Sequence, residues 1–146
     1  MTVTLINSKS RVAPLELLSI SRLELSAAHL LAKLAKHYLR MTKIGISSPH
    51  LWSDFTDVLQ WLKSHPSRWK PFVANRCANI HNDVPDAIWH HVRTKDNPAD
   101  LVSPGCTIGD LNENTIWWHG RKWLKEFHGP WTSVSDILLL AKNLRK

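Results

Sequence analysis

A long segment near the start of the chain constrains the fold more than any other part of the sequence. In SRLELSAAHLLAKLAKHYLR, residues 21–40, apolar side chains recur at helical spacing, and basic or polar side chains take the opposite positions. The apolar stripe consists of Leu23, Ala27, Leu30, Leu31, Leu34 and Tyr38. The segment therefore predicts an amphipathic helix that packs one face against the rest of the protein.

Short β-prone runs alternate with further helical patterns along the chain. The patterns predict strands at residues 2–6, 50–54 and 87–92, helices at 57–63 and 67–81, a connection over 8–19, a helix that starts at Pro98 and a terminal helix over 133–146. Strands that alternate with helices favour an α/β layer structure.

The size of the chain fits one globular domain, and its composition indicates a soluble protein inside the cell. Its 146 residues are 43% hydrophobic, and the longest apolar run, residues 137–141, is far shorter than the roughly 18 residues of a membrane span. The two cysteines form no CxxC pair, which favours a reducing compartment, cytoplasmic or nuclear. Neither Cys77 with His81, nor His90 or His91, supplies enough ligands of one kind for a closed zinc site.

The charge of the chain favours a polyanionic partner. Nineteen Lys and Arg against twelve Asp and Glu leave a formal charge of +7 at pH 7, which suits nucleic acid but also a merely solvated basic surface. Among the eight tryptophans, Trp69 and Trp123 stand beside cations and would serve as stacking faces or as packing anchors. Packing is favoured because aromatic burial is the larger energy.

Three acidic residues stand near predicted helix starts. Glu24 would lie beside the apolar stripe, Asp54 ends a predicted strand, and Asp100 falls in the first turn of a helix. Each has a local explanation as well. Ser21-x-x-Glu24 fits a capping box, Asn97 would cap the helix that contains Asp100, and Asp54 would be a turn acid.

Convergence of these three carboxylates would imply a metal ion. Carboxylates brought together repel each other unless a cation lies among them, and hard oxygen ligands suit Mg²⁺ or Mn²⁺. Two such ions about 4 Å apart support in-line phosphoryl displacement. Sequence spacing alone leaves the convergence open.

Several long motifs connect the chain to a known family. The segments SKSRVAPL, ISRLELSAAHLLAKL, LWSDFTDVLQWLKSHPSRWKPFVANR, WHHVRTKDNPADLVSPG and WWHGRKWL resemble the ribonuclease H-like region of BEL/Pao-type retrotransposon polyproteins, over residues 8–124. The resemblance implies that Glu24, Asp54 and Asp100 are three of four catalytic, metal-binding carboxylates. It also implies cleavage of the RNA strand of an RNA–DNA hybrid with Mg²⁺ or Mn²⁺ as cofactor.

Departures from the family pattern predict an incomplete site. The fourth carboxylate belongs on a first strand, and no acid precedes Ser10 in this sequence. Phe55 replaces a small polar residue and Pro104 replaces an arginine of the family pattern. We therefore expect an N-terminally truncated, partial ribonuclease H-like fold, a mixed sheet with flanking helices that lacks the first strands, in residues 1–110. A Trp-rich basic extension that ends in a helix would occupy residues 111–146.

Two functions of different classes follow. The first is a retrotransposon-derived ribonuclease H-like fragment with impaired or no hydrolysis, in which Arg68, Lys70 and Arg76 hold the nucleic-acid backbone or simply form a solvated helix face. The second is a non-catalytic basic module that binds nucleic acid or protein. The expected partners are an RNA–DNA hybrid or other nucleic acid and the rest of a retroelement polyprotein, with no membrane.

Overall fold

Strands and helices alternate through the part of the chain that the structure describes. The computed structural model describes residues 2–15, 17–42 and 48–126, together with the backbone of residues 136–144. The strands are β1 (Val3–Val12), β2 (His50–Ser53), β3 (Ile88–His91) and β4 (Asp136–Leu144). The α-helices are α1 (Ile20–Met41), α2 (Thr56–Lys63), α3 (Pro71–Asp83), α4 (Ile108–Glu113), α5 (Thr115–His119) and α6 (Lys122–Glu126). Short 3₁₀ turns cover Pro66–Arg68, Thr94–Asp96 and Pro98–Leu101. The predicted mixed α/β class is confirmed.

The strands form two parallel pairs. Within the described residues, β1 pairs with β4 and β2 pairs with β3, as two separate two-stranded sheets. The first ladder runs from Val3 opposite Asp136 to Val12 opposite Leu144, with an irregularity between Leu5 and Asn7. The predicted strands at residues 50–54 and 87–92 are thus confirmed, as neighbours in one sheet.

The predicted amphipathic helix is confirmed as α1, but its start differs from the capping box suggested by the sequence. Ser19 is the N-cap, and its side chain accepts a hydrogen bond from the backbone N–H of Arg22. Ser21 therefore lies inside the helix, and the interpretation of Glu24 as the acid of a capping box is wrong. Glu24 instead lies on the buried side of the helix, with only 8% of its surface exposed.

Two expectations at the ends of the chain are also wrong. Strand β1 continues to Val12, through much of the segment predicted as a connection, and residues 136–144 form a strand where a helix was predicted. Periodicity cannot separate a short apolar run in a strand from one in a helix. The ladder between β1 and β4 decides in favour of the strand, because each supplies backbone hydrogen-bond partners to the other.

The helix predicted over residues 67–81 is divided into two pieces. A 3₁₀ turn covers Pro66–Arg68, and α3 begins at Pro71, a residue favoured at the first position of a helix because its missing N–H would have no helical partner. Trp69, between the two pieces, is half-buried, and its indole N–H donates to the carbonyl of Trp61 at 3.3 Å. Packing, the favoured interpretation of Trp69, is therefore what the structure shows.

Two clusters of buried side chains hold the fold together. The first joins α1, α2, α3 and β2, and its most buried members are Leu25, Ala32, Val58, Cys77 and Ile80. The second consists of Val3, Ala99, Trp117 and Leu124, with Trp52 packed against it. Leu51 belongs to the first cluster, so consecutive residues of β2 face the two cores alternately. Within the described ranges, no helix has the length and apolar character needed to cross a bilayer.

Candidate functional site

Asp54 lies directly after strand β2, in a turn that the neighbouring residues hold in place. The backbone N–H of Phe55 donates to the hydroxyl of Ser53 at 3.2 Å, and the N–H of Val92 donates to the Ser53 carbonyl at 3.1 Å. Asp54 itself is half-buried. It therefore stands at the carboxyl end of a parallel strand pair, a usual location for ligand sites in open α/β sheets.

A hydrogen bond between helices brings Glu24 into the same region. The hydroxyl of Ser21 donates to Oδ2 of Asp57 at 2.9 Å and so joins the first turn of α1 to the first turn of α2. Glu24 lies one helical turn after Ser21, and Asp54 lies three residues before Asp57. Both predicted metal ligands are therefore near the junction of α1 with the turn after β2.

Asp100 lies in the 3₁₀ turn Pro98–Leu101, and Asn97 caps the start of that turn. The side-chain oxygen of Asn97 accepts a hydrogen bond from the N–H of Ala99 at 3.1 Å, so the predicted cap is confirmed. The buried Ala99 anchors this turn in the cluster around Val3 and Trp117. Asp100 is therefore fixed to a different core cluster from the one that holds α1.

The chemistry of these acids suits a hard divalent ion, but the described residues contain no assembled metal cage. Carboxylate oxygens are the ligands that Mg²⁺ and Mn²⁺ prefer. Among the residues that the structure describes, no three Asp, Glu, His or Cys side chains lie close enough together to hold a metal ion. The assignment of Glu24, Asp54 and Asp100 as metal ligands therefore stays a prediction.

A basic groove of about 790 Å³ lies between β1 and α1. The Lys and Arg residues of its described lining are Lys9 and Arg11 on β1, Lys33 on α1 and Arg76 on α3. His29 and His37 add two imidazoles, whereas none of the described lining residues is an Asp or Glu. The groove is therefore positively charged, with an apolar wall contributed by α1 leucines.

Arg76 is held in a fixed position by an aromatic ring. Its guanidinium lies 3.5 Å from the centroid of the Phe72 ring, and Nη1 donates to the Phe72 carbonyl at 3.4 Å. The guanidinium of Arg22 lies 5.0 Å from the same centroid. Burial, and next the charge of Arg22, lower the pKa of Arg76 from its usual value, although an arginine keeps its charge in proteins.

Comparison with known protein families identifies the first part of the chain. Residues 1–55 match the family model of the Pao retrotransposon-like RNaseH-like domain. This part of the chain is a BEL/Pao ribonuclease H-like region. No curated protein and no solved structure gives a significant match.

The match of the BEL/Pao ribonuclease H-like region covers only some of the candidate residues. It includes Glu24 and Asp54, and it includes the groove cations on β1 and α1. Asp100 and Arg76 lie beyond the matched stretch. Of the three candidate acids, the family match thus contains Glu24 and Asp54, which lie near the junction of α1 with the turn after β2.

Of the three basic residues named from the sequence, Arg76 alone belongs to the described lining of the groove. Arg76 lines the groove, whereas Arg68 and Lys70 are exposed and are not among its described lining residues. Sequence reasoning missed Lys9 and Arg11. Their signal is the alternation in SKSRV, where Lys and Arg stand two residues apart and so project from one face of a strand. The prediction of a connection over residues 8–19 concealed it.

Two of the residues weighed for zinc, Cys77 and His81, have other roles. Burial raises the pKa of the Cys77 thiol to about 11, so the metal-binding thiolate is scarce at neutral pH. Nε2 of His81 lies 3.0 Å from the carbonyl oxygen of Leu62 and donates to it. Cys77 belongs to the core, and His81 ties α3 to α2.

Proposed function

We propose that this chain is a retrotransposon-derived ribonuclease H-like region that binds the backbone of an RNA–DNA hybrid and whose ancestral cleavage of the RNA strand is impaired. The observation that carries the proposal is the basic groove. Three of the four Lys and Arg residues in its described lining, Lys9, Arg11 and Lys33, lie on β1 and α1, two of the elements inside the family match. Family and charge thus point to the same surface.

The arrangement of the groove cations suits a chain of phosphates. Side chains two apart on a strand project from one face at a spacing of roughly 6.7 Å, so Lys9 and Arg11 present successive charges along a line. Lys33 extends the positive surface onto α1, and Arg76 adds a guanidinium backed by an aromatic ring. Such cations bind phosphates and release condensed counterions, which makes the affinity depend steeply on salt.

The three acids are proposed to hold Mg²⁺ or Mn²⁺ for the cleavage reaction. A bound ion would activate water and stabilise the charge that develops on the phosphate. Glu24, Asp54 and Asp100 would supply the oxygen ligands, with Asp54 at the end of β2 and Glu24 on the adjoining helix. Because the 146 residues contain a counterpart for only three of the four family carboxylates, we expect weak or no hydrolysis from this chain alone.

Binding is tested with a labelled RNA–DNA hybrid titrated with the full chain over a series of salt concentrations. Arg76→Gln, and the double change of Lys9 and Arg11 to Gln, should weaken binding and lower the salt slope by about 1 per phosphate contact removed. Lys63→Gln is the matched control, since Lys63 is an exposed cation of α2 outside the groove. Equal losses from the control and the groove variants would refute the groove as the binding surface.

Cleavage is tested separately on the same hybrid in Mg²⁺ and then Mn²⁺. Any cleavage by the chain should disappear in Asp54→Asn, while hybrid binding without metal persists. Cleavage at an equal rate by the unmodified chain and by Asp54→Asn, prepared in the same way, would mean that the observed cleavage does not depend on Asp54 and would refute its proposed role. Strong cleavage by the unmodified chain would refute the proposed impairment.

A non-catalytic binding module is the second candidate, and one observation favours it. Asp100 stands in the first turn of a 3₁₀ helix capped by Asn97, a position where an acid is stabilising without any metal. This candidate predicts hybrid or single-strand binding with a steep salt slope, no cleavage in either metal, and no change of metal affinity in Asp100→Asn. It would act in the cytoplasm or the nucleus, alone or beside the rest of a retroelement polyprotein.

A further inference from the structure

Two histidines from neighbouring strands lie side by side away from the turn that holds Asp54. In the parallel ladder Trp52 of β2 stands opposite His90 of β3, and His50 projects from the same face as Trp52, two residues earlier. Nδ1 of His50 is 2.7 Å from Nε2 of His90. The two rings lie 5.0 Å apart between centroids and are nearly parallel, at 8°.

Aromatic rings pack beside both imidazoles. The Trp52 ring stacks on His50 at 6.2 Å and on His90 at 5.2 Å between centroids. Trp123 packs against Trp52 in turn, at 5.9 Å. The two histidines are half-buried and belong to paired strands, so their backbones are held side by side and only the rings need to turn towards a ligand.

The pair is also in the protonation state that metals require. Burial lowers the pKa of His50, and burial followed by the charge of His50 lowers the pKa of His90. Neutral imidazole nitrogen is the form that coordinates a metal ion. At neutral pH one ring therefore donates its N–H to the other, and each ring holds a single proton.

We propose that His50 and His90 form a two-histidine site for a borderline divalent transition metal ion such as Cu²⁺, with water in the remaining coordination positions. Nitrogens bound to one ion at about 2.0–2.1 Å and at a right angle lie roughly 3 Å apart, so the observed pair separates by a few tenths of an ångström. Each ring also turns by roughly 45°, because in the hydrogen bond the two nitrogens point at each other and not at one common ion. The donor ring moves its proton to its other nitrogen, so the ion replaces a hydrogen bond and no net proton is released. Imidazole favours Cu²⁺, Ni²⁺ and Zn²⁺ over Mg²⁺, which distinguishes this site from the three carboxylates.

The site shares no residue with the groove or with the three acids, so it is independent of the proposed function.

The full chain is titrated with Cu²⁺ alone at neutral pH, by calorimetry and by quenching of tryptophan fluorescence. We expect one ion per chain at the tightest site and no displacement by excess Mg²⁺. His50→Gln and His90→Gln should each weaken binding by about tenfold or more.

His91→Gln is the matched control, because His91 is the next residue of β3 and projects from the opposite face. It should bind Cu²⁺ as the unmodified chain does. Parent-like affinity in both His50→Gln and His90→Gln, or an equal loss in His91→Gln, would overturn the site.

Histidine modification of the unmodified chain, mapped by mass spectrometry, avoids any folding defect of a variant. The ion should protect His50 and His90 selectively, and protection of other histidines in their place would also overturn the proposal.

Discussion

The hydroxyl of Ser21 and the carboxylate of Asp57, 36 residues apart in sequence, share a hydrogen bond of 2.9 Å. The bond joins the first turns of α1 and α2. Together with the apolar cluster shared by α1, α2 and β2, it links the helix that carries Glu24 to the region of the turn that carries Asp54.

Ser21→Ala should lower the free energy of unfolding by about 0.5–1 kcal/mol, since it removes this exposed inter-helix hydrogen bond. Urea denaturation measures the change. Ser26→Ala is the control: its hydroxyl donates only to the carbonyl of Arg22 in the same helix, and alanine is the better helix former. An equal loss in Ser26→Ala would mean that the inter-helix bond contributes nothing of its own.

A second contact between helices connects Lys36 of α1 to Asp83 at the end of α3. Nζ of Lys36 lies 2.7 Å from Oδ1, and the Asp83 side chain is 15% exposed. Asp83→Asn should cost about 1 kcal/mol of stability, a modest value because the lysine remains partly solvated. Asp86→Asn, at an exposed acid just after α3, should change stability little. If the two variants unfold alike, the ion pair does not hold α1 to α3.

The pH dependence of stability should reflect His29. Burial, and next the charge of Lys33, lower its pKa, against the opposing effect of Asp83. The unfolded chain therefore binds the proton more readily than the folded chain, so stability falls as pH drops below about 6.5 towards the folded pKa. At pH values above this range, His29 adds no pH dependence to the free energy of unfolding. His29→Gln should reduce the loss of stability on the acid side, as measured by urea denaturation at pH 7.5 and pH 5.5. An unchanged loss would remove His29 as its source.

The core around α1 should be sensitive to cavities. Leu25 is fully buried, and Leu25→Ala should cost about 2–5 kcal/mol of unfolding free energy. Leu17→Ala serves as control, since Leu17 is 99% exposed and the same change there should stay within about 0.5 kcal/mol. A small effect of Leu25→Ala would mean that α1 does not pack as the structure has it.

The sequence was sufficient for the features that depend on local order. The 3.6-residue periodicity determines α1, the apolar pattern determines β2 and β3, and Asn97 before Pro98 determines a capped turn, because each signal lies within one element. The family motifs likewise predict Glu24 and Asp54 as metal ligands, and the match over residues 1–55 contains both residues.

Tertiary structure decided the features that depend on a distant partner. Residues 136–144 form a strand because β1 offers them a ladder, and β1 itself extends to Val12 along that ladder. Ser19 displaces Ser21 as the cap of α1, and Ser21 reaches Asp57 instead. The basic groove joins cations from β1, α1 and α3, and the histidine pair joins residues 40 positions apart. Hydrogen-bond ladders and charge clusters of this kind are made between elements, so local sequence patterns determine which elements can form, and only their packing decides which side chains meet.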